Sequence, residues 1–471
     1  MGSKKKQVIW WIISLFTLAL VMLVPQRYLY FLHGVPRILF ACPFLVAVAL
    51  AAWIWCSCTG RISRDWLSLW KRCWPLIALT AFDVAFLIFA YLTSKTNPLV
   101  TFLPPGRWWA NYLFVILAAP AAFFLGYTNR TMGSKRFGIA LLVILGFAFI
   151  IAAAEYLNLS GYQNPIGQWL LYFNKETRHL YGVWKWLPPG PVRAQGLATG
   201  PLFFAFPAAI GMCWALSVRG IKGIRIAILL IGLVSIMLSG SRAALLGIVL
   251  ILMLSVALQI KKQTFRAWFR AHRKILIGMG AGLIALVIVF SLVGKGTFQS
   301  LDRSVETVTV AVNDTKTEVT GKAETDSSQE ASDITSGRIA LWRTVVSLII
   351  KHPLGTGQPV YSMLKRAYAH NDLLDRMVTG GPISVLIYCS VLFWFLFALK
   401  TPRAPYFGLY AGLLILIVGM FEGLFSHVAC LPPVWFISGM LVSKEWLTGK
   451  VAFTRKGRKK QRTIKPEKPA S

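Results

Sequence analysis

Apolar runs of about 20 residues, enough to cross the hydrocarbon core of a bilayer, recur along this chain and dictate its class. Twelve can be marked: 8–24, 38–56, 74–93, 109–127, 138–157, 197–218, 224–240, 243–260, 275–294, 381–399, 406–425 and 433–448. Only 14% of the 471 residues are charged, against about 25% in soluble domains. The expected fold is all-α: a polytopic membrane protein of about 12 transmembrane helices, with a large extracytoplasmic loop carrying short surface helices.

Lysine and arginine set the orientation. With the N-terminus in the cytoplasm, the inner segments are the first residues and the stretches near 57–73, 128–137, 219–225, 261–274, 400–405 and 444–471. Together they hold 31 of the 50 basic residues and only Asp65, Glu445 and Glu467 among the acids. Every short inner loop is then basic, as membrane topology signals require. The runs 224–240 and 243–260, separated by Ser241 and Arg242, read either as a tight hairpin or as one broken span. A single span would turn the basic 261–274 loop outward, so the hairpin is expected, and both termini are placed inside.

The net charge of +33 is spread over these loops, with no soluble basic domain to carry nucleic acid, which is excluded as a partner. The run that follows Met1-Gly-Ser-Lys-Lys-Lys6 ends at Val24-Pro-Gln-Arg27 with no small-residue cleavage site, and is expected to stay as the first span. Seven scattered cysteines, with Cys56-Ser-Cys58 lacking a second pair, are expected to be apolar fillers rather than disulfides or metal ligands.

The organisation expected from these boundaries is: spans one to five over 1–157, a first extracytoplasmic loop over 158–196, and spans six to nine over 197–294 with the hairpin at 241–242. A large extracytoplasmic loop follows over 295–380, then spans ten to twelve over 381–448 and a basic cytoplasmic tail over 449–471. The first loop mixes Trp169, Tyr172, Trp184 and Trp186 with basic residues, either as an interfacial re-entrant segment or as a platform for sugar or lipid. The large loop divides by composition. Residues 301–335 carry eight acids, three bases and no apolar periodicity, and are expected to be mobile. Residues 336–380 are the expected catalytic part.

Order is predicted to return at Ser336, a suitable helix N-cap. Ile339, Trp342, Val345, Val346 and Ile349 share a stripe, and Pro353 ends the run. This helix is expected along the membrane surface with its stripe inward. A second helix is predicted after His370, with Leu373, Leu374 and Met377 at helical spacing.

Several constellations could carry chemistry. Arg242, between two apolar runs, either snorkels to headgroups or offers a planar fork to phosphate. Arg338 and Trp342 lie one turn apart, so the ring can pack on the guanidinium. His370 begins a helix and precedes Asn371; imidazole suits proton abstraction from a hydroxyl. His352, before Pro353, is its competitor and reads as a turn residue. The carboxylates Asp83, Glu155, Asp372, Asp375 and Glu422 show no spacing that implies a metal or a glycosidase pair. Cations suit a diphosphate leaving group, a base suits a sugar hydroxyl, and the bilayer suits a polyprenyl tail.

At these residues the chain resembles the O-antigen ligase and O-antigen polymerase superfamily of bacterial envelope glycosyltransferases. The matching stretches are Arg193-Ala-Gln-Gly196, Ser241-Arg242, Gly337-Arg-Ile-Ala-Leu-Trp342, His352-Pro-Leu-Gly-Thr-Gly357, and His370-Asn371 followed by Gly381. The resemblance covers roughly 190–400. It implies a metal-independent, inverting transfer of a glycan from undecaprenyl diphosphate to an acceptor hydroxyl, lipid A–core or a growing glycan, on the periplasmic face of the inner membrane. By motif, His370 would activate the acceptor, and Arg242, Arg338 and Arg193 would bind the diphosphate. Ser241, Trp342, Asn371 and Gly381 would support them, with no cofactor. Ser384 stands where the ligase pattern has Gly, Thr or Tyr, so ligase and polymerase both stay open, with protein O-oligosaccharyltransfer beside them. A transporter or flippase, with Asp83 on a substrate path, is the reading from another class.

Overall fold

The computed structural model describes residues 3–23, 41–58, 65–104, 106–156, 194, 201–260, 338–364, 369–424 and 431–442. Among them every regular element is helical. The N-terminal part holds α1 (Ser3–Leu23), α2 (Ala41–Cys58), the short α3 (Asp65–Arg72), α4 (Trp74–Thr93), α5 (Gly106–Thr128) and α6 (Ser134–Tyr156). The centre holds α7 (Pro201–Ser217), α8 (Lys222–Ser239) and α9 (Arg242–Ile260). After them come α10 (Arg338–Lys351), α11 (Val360–Met363), α12 (Asp372–Phe393), α13 (Phe407–Gly419) and α14 (Leu431–Leu441).

Five of these helices, α4, α5, α6, α8 and α12, are long and apolar enough to cross a membrane, and six more are apolar but shorter. Large apolar side chains stand exposed along them, among them Leu92, Val143, Ile150 and Leu386. In water such a surface would be costly, whereas lipid tails accept it. The chain is a multi-pass membrane protein. The expected run 275–294, the segment 301–335 and most of the first loop lie outside the described residues.

Small residues set the closest helix crossings. A Cβ on Gly126 of α5 would fall on the Phe436 carbonyl of α14, and one on Gly439 of α14 would fall on the Phe123 carbonyl of α5. The two glycines thus let the backbones of α5 and α14 touch reciprocally, which is how helices associate where no hydrophobic force separates them from lipid. Around this crossing, Trp394, Phe395 and Trp435 pack in tilted contacts as a buried aromatic knot. The Trp394 indole N–H finds the Arg72 carbonyl at 2.8 Å.

The chain breaks between α8 and α9 at Gly240, which takes the left-handed conformation (φ 58°, ψ 27°). The Ser241 amide then bonds the Ser239 hydroxyl at 3.1 Å, and α9 starts at Arg242. Tyr410 of α13 hydrogen-bonds Ser255 and lies near Cys213, close to the end of α7 from which α8 sets out. So α9 runs back toward that end, and α8 and α9 reverse across the two-residue turn.

Candidate functional site

The site is organised by a defect in α12. Pro382 has no N–H to give the Val378 carbonyl four residues back, and Gly380 and Gly381 leave helical geometry, Gly381 at φ 61°, ψ −156°. The carbonyls freed by the break are taken by the turn after α10. Thr356 donates its N–H to Val378 at 2.8 Å, and Gly357 donates to Thr379 at 3.2 Å. The Thr356 hydroxyl adds a bond to Val378 at 2.9 Å. This requires close backbone approach: Gly355 (φ 94°) lies against Gly380 and Gly381, and Gly381 against the Leu354 carbonyl. The His352–Gly357 motif and the Gly380-Gly381-Pro382 motif are therefore two halves of one joint. Gln358 anchors the joint to α4 through the Ala90 carbonyl (3.0 Å) and the Thr93 hydroxyl (2.8 Å).

The joint presents the N-terminal part of α12. Asn371, extended at φ −156°, caps it by accepting the Leu374 N–H at 3.0 Å, one of the orphan donors of a helix start. Asp372 and Asp375 in the first turn match the positive end of the helix dipole. The Asn371 side-chain amide also donates to the Met420 carbonyl at 2.9 Å, tying the cap to the end of α13.

His370 precedes the cap at φ 51°, a left-handed backbone. A non-glycine residue held there stores on the order of 1–3 kcal/mol, and such strain persists only where the surroundings over-determine it. They do so here from both sides. The Trp342 indole N–H donates to the Ala369 carbonyl at 2.7 Å, and the Ala369 N–H donates to Asp375 Oδ1 at 3.3 Å. Beyond them, His370 Nδ1 lies 3.0 Å from Glu422 Oε2. The carboxylate can only accept, so Nδ1 carries the proton and Nε2 keeps a lone pair in the neutral ring. With its side chain 40% exposed, against 23% for Glu422, the imidazole is open to a reacting group.

Six residues on, Arg376 forms a forked pair with Asp83 of α4, with Nη2 to Oδ2 at 3.0 Å and Nη1 to Oδ1 as the second bond. Both side chains are mostly buried, and Asp372 and Tyr112 stand nearby. Asp372 itself is buried and hydrogen-bonded to the Tyr388 hydroxyl. Both crowd Gly419 of α13, where a Cβ would meet Asp372 Oδ2 at 2.7 Å.

The remaining expected site residues fall as follows. Arg242 is exposed at the first position of α9, beside the buried Ser241. Gly247 of α9 packs against Leu414 of α13, and Tyr410 meets Ser255, so α9 and α13 are antiparallel. Arg242 therefore lies toward the end of α13 that leads to Glu422. Arg338 opens α10 one turn before Trp342, and its side chain is outside the described part, as is the whole of Arg193. His352 ends α10 as a turn residue, its carbonyl accepting the Gly355 N–H at 2.9 Å.

Two participants carried no role in the sequence reading. In the sequence Glu422 is one of several scattered carboxylates, and Arg376 belongs to no constellation. Neither has a local motif; a charged residue in an apolar stretch was the available signal. Among the described residues no group of three His, Cys, Asp or Glu side chains could hold a metal ion.

Residues 227–389 match the O-antigen ligase family model. The match covers 163 of the 471 residues, and over that part the chain is similar to the O-antigen ligase family. No curated protein gives a significant match. The matched segment runs from α8 through most of α12, so it contains Arg242, Arg338, Trp342, His370, Asn371 and Gly381, while Arg193, Asp83 and Glu422 lie outside it. The carboxylates that hold His370 and Arg376 thus lie outside the matched segment, Asp83 on α4 and Glu422 just after α13.

Proposed function

We propose that this protein transfers a glycan from undecaprenyl diphosphate to an acceptor hydroxyl, lipid A–core, on the periplasmic face of the bacterial inner membrane. The observation that carries the reading is a strained histidine oriented by a carboxylate at the head of a broken membrane helix. His370 Nε2 would take the proton of the acceptor hydroxyl as its oxygen attacks the anomeric carbon. The bond from that carbon to the diphosphate oxygen breaks, with inversion, and the diphosphate leaves with the electron pair. Arg242 and Arg338, with Arg193 from the preceding loop, would hold that developing charge. Glu422 would keep the proton on Nδ1 and stabilise the imidazolium that forms.

A polymerase uses the same chemistry with a sugar hydroxyl of a lipid-linked glycan as acceptor, and a protein O-oligosaccharyltransferase uses a side-chain hydroxyl. The transporter reading takes Asp83 as a charge on a substrate path; its carboxylate is paired with Arg376. The test is transfer by purified protein from a polyprenyl-diphosphate-linked glycan to lipid A–core, to lipid-linked glycan and to protein in parallel. The wild type is expected to glycosylate lipid A–core with no loss of rate in a chelator, and His370→Ala to be inactive but folded. Movement of lipid across vesicles without transfer to any acceptor would overturn the enzyme reading.

A further inference from the structure

Two residues of α12 lie closer together than a straight helix allows. Sixteen positions separate Asp372 from Tyr388, about 24 Å at the rise of an α-helix, yet their side chains are hydrogen-bonded. A Cβ on Gly419 of α13 would meet both, Asp372 Oδ2 at 2.7 Å and the Tyr388 hydroxyl at 3.0 Å. The chain therefore turns back on itself at Gly380 and Gly381, and the first two turns of α12 lean against the helix that follows.

This short limb is held at three places. The joint with Thr356 and Gly357 fixes one end, the fork between Arg376 and Asp83 fixes its middle, and Asp372 on Tyr388 fixes its head, two residues from His370. A carboxylate serving only the helix dipole could stay in water, whereas Asp372 is 3% exposed. Burial of that kind is tolerable with a hydrogen-bond donor and a cation at hand; the Tyr388 hydroxyl and the Arg376 guanidinium supply them. The missing side chain of Gly419 makes the room, and Glu422, the partner of His370, follows three residues later. The residues that seat the limb and the carboxylate that orients the imidazole thus share the stretch 419–422.

We infer that Tyr388 is a positioning residue for the transfer reaction: through Asp372, its hydroxyl holds the head of α12 where His370 meets Glu422. The inference rests on the role proposed above for His370.

The test measures kcat for transfer to lipid A–core, using the full chain in detergent. Tyr388→Phe keeps the ring and removes the hydroxyl. It should lower kcat about tenfold, the scale of a hydrogen bond to a charged group, with KM for donor and acceptor unchanged. Tyr410→Phe, which removes a likewise buried hydroxyl from the contact between α9 and α13, is expected to keep the wild-type rate. In a Glu422→Gln background, Tyr388→Phe should cost about twofold or less, because the alignment it secures is already lost. A loss of about tenfold in that background as well, or an equal loss from Tyr410→Phe, would make Tyr388 a packing residue and overturn the inference. Wild-type kcat in Tyr388→Phe would overturn it too and leave the proposed function intact, whereas a wild type that transfers to no acceptor removes both. Should Tyr388→Phe not fold, Asp372→Ala, which takes away the acceptor instead of the donor, must give the same pattern, and wild-type kcat there overturns the inference.

Discussion

His370 Nδ1 and Glu422 Oε2 meet at 3.0 Å although 52 residues separate them in the chain. The contact joins the head of α12 to the residues just after α13, and the Asn371–Met420 bond runs in parallel with it. The ring is therefore oriented by one carboxylate while its backbone is clamped by the helix cap beside it.

Glu422→Gln keeps the size of the side chain but can donate as well as accept, so the imidazole tautomer is no longer dictated. Transfer rate should fall about 10²–10⁴-fold, the usual range for a lost acid–base contribution, with donor KM little changed. Glu422→Asp should recover part of the rate. Steady-state kinetics with saturating acceptor would show this, and an unchanged kcat would make the contact structural.

Trp342→Phe removes one hydrogen-bond donor and leaves an aromatic ring. The Ala369 carbonyl loses its indole partner, at a cost of about 1 kcal/mol, and the left-handed backbone at His370 loses one of its restraints. The expected outcome is a small drop in melting temperature together with a larger fall in kcat. Equal, small effects on both would mean that Trp342 serves packing alone.

Arg376→Ala and Asp83→Ala each leave one mostly buried charge without its fork partner, a change that typically costs about 3–5 kcal/mol. The double variant should be less destabilised than the sum of the two. Denaturant unfolding in detergent, combined as a double-mutant cycle, gives the coupling. Additive losses would indicate that the two residues act independently.

Gly381→Ala places a methyl group against the Leu354 carbonyl at a φ of 61°, where both space and backbone favour glycine. The joint with Gly355 should open, releasing the carbonyls of Val378 and Thr379 that Thr356 and Gly357 now satisfy. Protein yield and melting temperature should fall sharply, and wild-type values would contradict the interlocked joint.

Arg242→Ala and Arg338→Ala should raise the KM for lipid diphosphate donor, each by about tenfold or more, as expected for a lost charge-assisted contact. Lysine at either position should restore part of the loss, because a point charge replaces a planar fork. Unchanged donor kinetics in both alanine variants would return these arginines to headgroup contacts.

Much of the local architecture was legible beforehand. The hydropathy of α4, α6 and α8 marks them to within a few residues, and Pro353 closes α10 where expected. The start of α12 was also predicted, from the spacing of Leu373, Leu374 and Met377. The wide apolar stripe of α10 misleads, since periodicity shows that Val345 and Val346 are both apolar but not that Val345 is buried while Val346 stands exposed. The joint between the two glycine motifs was invisible for a different reason: each motif reads as an ordinary turn until its unsatisfied carbonyls are matched with the other's N–H groups.

Sequence by itself determined the all-helical membrane class and the small set of polar residues able to do chemistry. Those properties follow from hydrophobicity, backbone stereochemistry and side-chain type, which act locally. Tertiary structure decided which partner each carboxylate meets: Glu422 goes to His370, and Asp83, 293 residues away, goes to Arg376. A carboxylate in an apolar chain must find a partner, but any cation satisfies that demand. Only the packing of α12 between α4 and α13 selects the pairs.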